Sequence, residues 1–131
     1  MRKKNSRCEF ANERSEALLR NFRESIARQS QISRARALQE AADLPAPRFW
    51  VSEVRATRVI QMMLKDHNVL DGMHTAKREM YMEIYKRVKK IKELHPELPL
   101  GDIVFDVVNS QAPKSYVTPG YAGKLIFKYK G

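Results

Sequence analysis

Apolar residues recur at helical spacing along most of the chain, and this pattern predicts helices. A long helix over 8–29 is indicated by one apolar face that consists of Leu18, Leu19, Phe22 and Ile26. A shorter helix follows it, capped by Ser30 or Ser33 and ending at Ala42. Its inward residues are predicted to be Ile32, Ala35, Leu38 and Ala42. The segment 43–47 contains two prolines, which remove N–H donors and end the helix.

The next two helices are also marked by their apolar faces. Ser52 is predicted to cap a helix that runs to about Lys65. Its inward face consists of Ala56, Val59, Ile60 and Met63. After a turn at 67–72, a helix from Met73 to Leu94 is the longest one predicted. Its inward residues are Met80, Ile84, Val88 and Ile91, and the lysines and arginine near its end complement the helix dipole.

Two segments of the chain are similar in sequence. APRFWVSEVRATRVI at 46–60 and APKSYVTPGYAGKLI at 112–126 are identical at five of fifteen aligned positions, with an offset of 66. The long helices also match, at an offset of 63. We therefore interpret the chain as two degenerate copies of a three-helix unit, each with a long helix, a short helix, a proline-containing joint and a capped helix. The aromatic residue of each joint, Trp50 or Tyr116, is predicted to anchor it to the core.

The repeat decides two ambiguous segments and gives the fold class. Residues 102–109 (DIVFDVVN) suit a strand or a helix, but their counterpart 36–43 contains strong helix formers, which favours a helix. Residues 118–129 are likewise predicted as a helix, although KLIFKYK is also compatible with a closing strand. The sequence thus predicts an all-α protein with a basic flexible arm at 1–7 and three-helix units at 8–66 and 67–131 that share one core.

The charge of the chain favours a polyanionic partner. Lys and Arg total 25 against 15 acidic residues, and the net charge is +10. Residues 1–65 carry 14 bases and 7 acids, whereas residues 66–131 carry 11 and 8. An excess of this size is typical of proteins that bind nucleic acid, although a soluble basic protein without such a partner has the same composition.

The capped third helix resembles, in organisation only, the recognition helix of helix-turn-helix DNA-binding domains. This resemblance implies a small DNA-binding protein whose contacts come from the first unit and the N-terminal arm. The predicted contact residues are Arg2, Lys3, Lys4, Arg7, Arg48, Arg55, Thr57, Arg58, Gln61, Lys65 and Lys124. One departure is the joint, which places nine residues between Ala42 and Ser52 where a helix-turn-helix has about 3–4.

The alternative is a helical adaptor or assembly module that binds another protein, or a second copy of itself in a homodimer. Phe127 and Tyr129 would then be interface residues, since an outward Phe is usually covered. RNA is a third possible partner that charge does not distinguish from double-stranded DNA.

Motifs for catalysis, metal binding and membrane insertion are missing from the sequence. The three histidines lie in or beside predicted loops without ligand spacing, and neither a phosphate-binding glycine loop nor a nucleophile elbow occurs. We therefore expect no enzyme activity, no cofactor and no metal. Cys8 is the only cysteine, which fits a reducing cytoplasm, and no apolar run is long enough to span a membrane.

PAPRFWVSEVRA and REMYMEIYKRV resemble segments of small uncharacterised proteins of Bacteroides-type bacteria. The resemblance covers about half of the chain. It implies a bacterial, cytoplasmic setting and no particular activity.

Overall fold

The computed structural model describes residues 10–128, and these residues form an all-α fold, as predicted. The α-helices are α1 (Ala11–Arg28), α2 (Arg34–Asp43), α3 (Glu53–Lys65), α4 (Thr75–Leu94), α5 (Leu100–Val108) and α6 (Pro119–Lys128). A 3₁₀ helix, His67–Leu70, connects α3 and α4. The two segments with strand alternatives are both helical as far as Lys128, the last residue that the structure describes.

Hydroxyl caps fix the starts of α2 and α6. Ser33, rather than Ser30, caps α2, because its side chain accepts a hydrogen bond from the backbone N–H of Arg36 at 3.2 Å. The hydroxyl of Thr118 accepts from the backbone N–H of Tyr121 at 3.1 Å, and Pro119 occupies the first position of α6. Both caps satisfy N–H groups that a helix start leaves without an intrahelical acceptor.

The inward face of α2 differs from the predicted one. Ile32 lies before the helix and is 70% exposed, and Ala35 is exposed as well. The buried residues are Ala37, Ala41 and Ala42. The buried face of α2 is therefore the one through Ala37 and Ala41, and the prediction for Ile32 and Ala35 was wrong.

The buried residues form two clusters, and each combines helices from both halves of the chain. The larger cluster lies among α3, α4, α5 and the joint 46–51, with Ala112. The smaller one joins Leu18 of α1 to Ala122 and Ile126 of α6, with Leu38 of α2 packed against it. The third helix of each predicted unit therefore packs against the first two helices of the other half.

The two joints are paired directly with each other. Ala46 and Ala112 form an isolated antiparallel bridge, with N–H···O distances of 3.0 and 2.9 Å. The backbone N–H of Phe49 donates to the carbonyl of Val108 at 3.0 Å. That of Ser115 donates to the carbonyl of Ala42, also at 3.0 Å. Adding 66 to residues 49 and 42 gives 115 and 108, so the same offset relates these two bonds, each of which runs from one aligned segment to the residue four positions before the start of the other.

Phe49 is the aromatic residue that fills the core beneath the joints. Its side chain is fully buried and stacks on Tyr116, with ring centroids 6.1 Å apart and an interplanar angle of 16°. Trp50, which was predicted to anchor the first joint, is only half-buried and packs against the edge of the larger cluster. Phe49 is therefore the fully buried residue of the first joint, while the two predicted anchors, Trp50 and Tyr116, are partly buried rings packed against the same cluster.

Candidate nucleic-acid interface

Helix α3 is held by a capped start and a buried face, as its sequence predicts. The hydroxyl of Ser52 accepts a hydrogen bond from the backbone N–H of Arg55 at 3.1 Å, which confirms the predicted N-cap. The four predicted inward residues, Ala56, Val59, Ile60 and Met63, are all buried. This face packs against α4 and α5, so the orientation of α3 is fixed by contacts along its length.

The opposite face of α3 carries exposed polar residues that we call the basic stripe: Arg58, Gln61 and Lys65. Their spacing of three and four residues places them on one side of the helix, over about 10 Å. Among residues 10–128, neither Arg58 nor Lys65 takes part in an ion pair. The stripe contains no acidic residue, so it is a cationic edge with one amide at its centre.

Arg55 and Thr57 lie beside the stripe in different settings. Arg55 is exposed, and its charge is close enough to act on the buried Tyr81 hydroxyl. Burial nevertheless raises the pKa of Tyr81, so this hydroxyl stays protonated at neutral pH. The hydroxyl of Thr57 donates to the carbonyl of Glu53 at 2.7 Å, within its own helix. Thr57 thus serves its own helix, whereas Arg55 is an exposed residue beside the stripe.

Arg48 clamps the first joint instead of facing outward. Its Nε donates to the carbonyl of Phe49 at 2.9 Å and its Nη2 to the carbonyl of Val51 at 2.8 Å. Nη1 donates to Oδ1 of Asn109 at 3.0 Å, and the guanidinium carbon lies 3.9 Å from the centroid of the Phe10 ring. These contacts employ all three guanidinium nitrogens, so Arg48 stabilises the joint beneath α3.

Asn109 continues this network to the first turn of α3. Its Nδ2 donates to Glu53 Oε2 at 3.1 Å and to the carbonyl of Phe105 at 2.8 Å. The hydrogen bond from Asn109 and one from the backbone of Glu53 hold the pKa of that carboxyl below its usual value. Glu53 is therefore ionised at neutral pH, at the positive end of the helix dipole, and it is turned toward α5.

The remaining predicted contact and interface residues are divided between α6 and the chain ends. Lys124 is exposed. Phe127 is 54% exposed. Its ring lies edge-on to that of Phe22, with the two ring centroids 5.8 Å apart, and the guanidinium carbon of Arg34 lies 5.1 Å from the Phe127 centroid. It covers part of the smaller cluster of the same chain. Arg2, Lys3, Lys4, Arg7 and Tyr129 lie outside the described residues.

A groove beside α4 is the feature that the sequence patterns did not single out. The lysines near the end of α4 are explained at the sequence level by the helix dipole. In the structure, Lys86, Lys89 and Lys90 are exposed next to Met82, itself 55% exposed. The spacing of Met82, Lys86 and Lys90 by four residues was the available signal, since it places all three on one side of a helix.

Comparison of the chain with known proteins found no relative. The chain matches no protein-family model, no curated protein and no solved structure. Within residues 10–128, no group of three or more His, Cys, Asp or Glu side chains is arranged to hold a metal ion. No helix in this part of the chain has the length and apolar character required to cross a membrane.

Proposed function

We propose that this chain is a small non-enzymatic protein that binds duplex DNA through the outer face of α3. The observation that carries the proposal is the basic stripe, which is exposed, contains no carboxylate and lies on a helix whose orientation is fixed by packing. A partner with closely spaced negative charges best complements such an edge.

The side chains of the stripe suit a major groove. A groove about 12 Å wide admits an α-helix, and the stripe extends over about 10 Å of helix axis. Arg58 has the donor fork that binds guanine, and Gln61 has the amide that pairs with adenine. Lys65, in the last turn, is suited to a phosphate contact that positions the helix.

The support of α3 differs from that in a helix-turn-helix. The helix packs across α5 and α4, from the other half of the chain, whereas α2 belongs to the smaller cluster with α1 and α6. In our proposal α5 takes the place of the supporting helix, and the Arg48 clamp fixes the angle at which α3 leaves the joint. Arg48 is therefore omitted from the proposed contact surface, which consists of the basic stripe with Arg55 beside it.

We also propose that the chain arose as two copies of one three-helix unit. The aligned segments 46–60 and 112–126 and the matching backbone bonds of the joints support this origin. Arg2, Lys3, Lys4 and Arg7 of the N-terminal arm are still predicted to contribute to DNA binding. We further propose a cytoplasmic location in a bacterium, on the basis of the resemblance to Bacteroides-type proteins and of the single cysteine.

The test is a salt titration of duplex binding. The logarithm of the binding constant should fall linearly with the logarithm of the salt concentration. The variant R58Q/K65Q should reduce the slope by about 0.9 for each lost phosphate contact. The matched control is R20Q/R23Q, which removes the same charge from exposed positions of α1. It should leave the slope close to that of the unaltered protein.

Two results would overturn the proposal. One is the absence of duplex binding by the unaltered protein at about 50 mM salt, where phosphate contacts are strongest. The other is an equal reduction of slope by R58Q/K65Q and R20Q/R23Q, because net charge alone would then explain the affinity. Circular dichroism of each variant verifies that the helices are retained.

A further inference from the structure

The outer face of α5 is acidic around an exposed aromatic residue. Phe105 is 52% exposed, and Asp102 and Asp106 beside it are exposed as well. Their spacing of three and four residues places all three on the side opposite the buried Ile103 and Val107. Neither aspartate is in an ion pair within the described chain. We call Asp102, Phe105 and Asp106 the acidic ridge.

The groove beside α4, which we call the α4 groove, is lined by lysines and apolar side chains, in contrast to the acidic ridge. It is an open cleft of about 690 Å³ between α4 and the second joint. Its apolar surface comes from Met82, Tyr85 and Tyr116. Four lysines line it, namely Lys86, Lys89, Lys90 and Lys114, together with the carboxylates Glu79, Glu83 and Glu93.

Ion pairs neutralise one part of the groove, whereas the other part holds two lysines, Lys89 and Lys90, against one carboxylate, Glu93. Lys114 binds Glu79 at 3.3 Å. Lys86 binds Glu83 at 3.2 Å, and Arg87 binds the same carboxylate at 2.8 Å. Burial raises the pKa of Glu83, but the hydrogen bonds and charges of its two partners outweigh it and lower that pKa overall.

Lys89 and Lys90 form no ion pair with any described residue. Both are exposed. Tyr85 lies one turn before Lys89, whose Nζ is 5.9 Å from the centroid of the tyrosine ring, and Met82 lies about one turn further along the same helix. The positive end of the groove therefore leads into its apolar part.

The mixed chemistry of the groove fits a polypeptide better than a nucleic acid. A phosphate chain would pass three carboxylates along the same cleft, namely Glu79, Glu83 and Glu93, and two of them already pair with the lysines that it would need. A partner segment must instead offer an apolar side chain between acidic ones. The acidic ridge has this pattern, and it projects from the chain itself.

We propose that two copies of the chain associate by placing the acidic ridge of one into the α4 groove of the other. Phe105 would cover Met82 and the tyrosine rings, while Asp102 and Asp106 pair with Lys89 and Lys90. The contact joins different surfaces, so it is heterologous. The net charge of +10 on each copy opposes association. At about 0.15 M salt, however, screening within about 8 Å leaves the local pairs dominant.

Sedimentation velocity over a range of protein concentrations at about 0.15 M salt tests this contact. The unaltered protein should show reversible association. D102K/D106K and K89E/K90E should each raise the dissociation constant at least about tenfold, since close like charges cost more than 1.4 kcal/mol. F105A, which leaves the charge unchanged, should weaken association too.

A charge-swap mixture makes the test specific. Equimolar D102K/D106K and K89E/K90E should associate again, because each groove then meets a ridge of opposite charge. The control E16K/D71K changes the net charge as much as D102K/D106K does, at exposed positions elsewhere, and should associate like the unaltered protein.

Three outcomes would overturn the proposal. The first is an unaltered protein that stays monomeric up to about 1 mM. The second is a mixture that fails to associate although both variants are folded by circular dichroism. The third is an E16K/D71K control that weakens association as much as the ridge variant. None of these outcomes bears on duplex binding by α3, so the two proposals fail independently.

Discussion

Replacing Phe49 and Trp50 separately tests which aromatic residue anchors the joints. Phe49 is fully buried, stacks on Tyr116 and lies under the guanidinium of Arg87, 5.1 Å from the ring centroid. Trp50 is half-buried, and its Nε1 is buried without an acceptor among residues 10–128. These two neighbouring residues should therefore differ in how much they contribute to stability.

The magnitudes follow from these environments. F49A removes a buried ring and leaves a cavity, which typically costs about 3–5 kcal/mol. This is roughly a third of the stability of an ordinary domain. It corresponds to a fall of about 2 M in the urea midpoint. W50F removes a buried donor whose missing hydrogen bond costs about 1–3 kcal/mol, and this offsets the smaller ring. We expect W50F to change the free energy of unfolding by less than about 1 kcal/mol.

Urea unfolding followed by far-ultraviolet circular dichroism measures both variants without relying on tryptophan fluorescence. The slope with denaturant must stay constant for midpoints to be compared. A loss of less than about 1 kcal/mol in the free energy of unfolding of F49A would refute the reasoning, since removing a fully buried phenylalanine ring typically costs about 3–5 kcal/mol. A larger loss in W50F than in F49A would show that the indole is the anchor.

Two further predictions concern pH and helix propensity. The depressed pKa of Glu53 adds stability above the usual glutamate pKa of 4.5, and this contribution is lost as the pH falls through the lower folded value. E53Q should therefore be less stable than the unaltered protein at pH 7, and the difference between their urea midpoints should shrink below pH 4.5. In α6, G120A should raise the melting temperature, because Gly120 has open space around it and alanine favours a helix by up to about 1 kcal/mol. G123A should gain less, because its Cβ would lie 3.3 Å from Cδ1 of Leu38; an equal gain would contradict this ranking.

The helices and most of their caps could be predicted because their signals are local. A helix face repeats within a few residues, and Ser52 caps an N–H only three positions away. The α5 segment is compatible with a strand by composition, and comparison with its counterpart in the first half favoured the helix that the structure shows. Tyr81 was missed as a core residue, although it is 1% exposed and adjoins the predicted inward residue Met80.

Long-range contacts could not be predicted because no local pattern encodes them. The hydrogen bond from Arg48 to Asn109 joins residues 61 positions apart. The partners of α6 lie near the other end of the described chain. For the candidate site, the sequence identified the outward residues of α3 but not the engagement of Arg48. The local sequence around an arginine beside a proline-rich joint is the same whether its guanidinium group faces solvent or donates to backbone carbonyls.

The exchange of third helices between the halves follows from the chemistry of the joints. Pro45 and Pro47 prevent α2 from continuing and leave an extended segment with few N–H donors. Such a segment needs an outside partner for its remaining backbone groups, and the other joint supplies it at Ala46 and Ala112. Because the two joints run antiparallel, each joint carries the chain past the other joint. Helix α3 therefore begins beside α4 and α5, and helix α6 begins beside α1 and α2. The outward faces of α3 and α5 are consequently held by the same paired joints, so loosening this pairing would disturb the proposed DNA-binding face and the acidic ridge together.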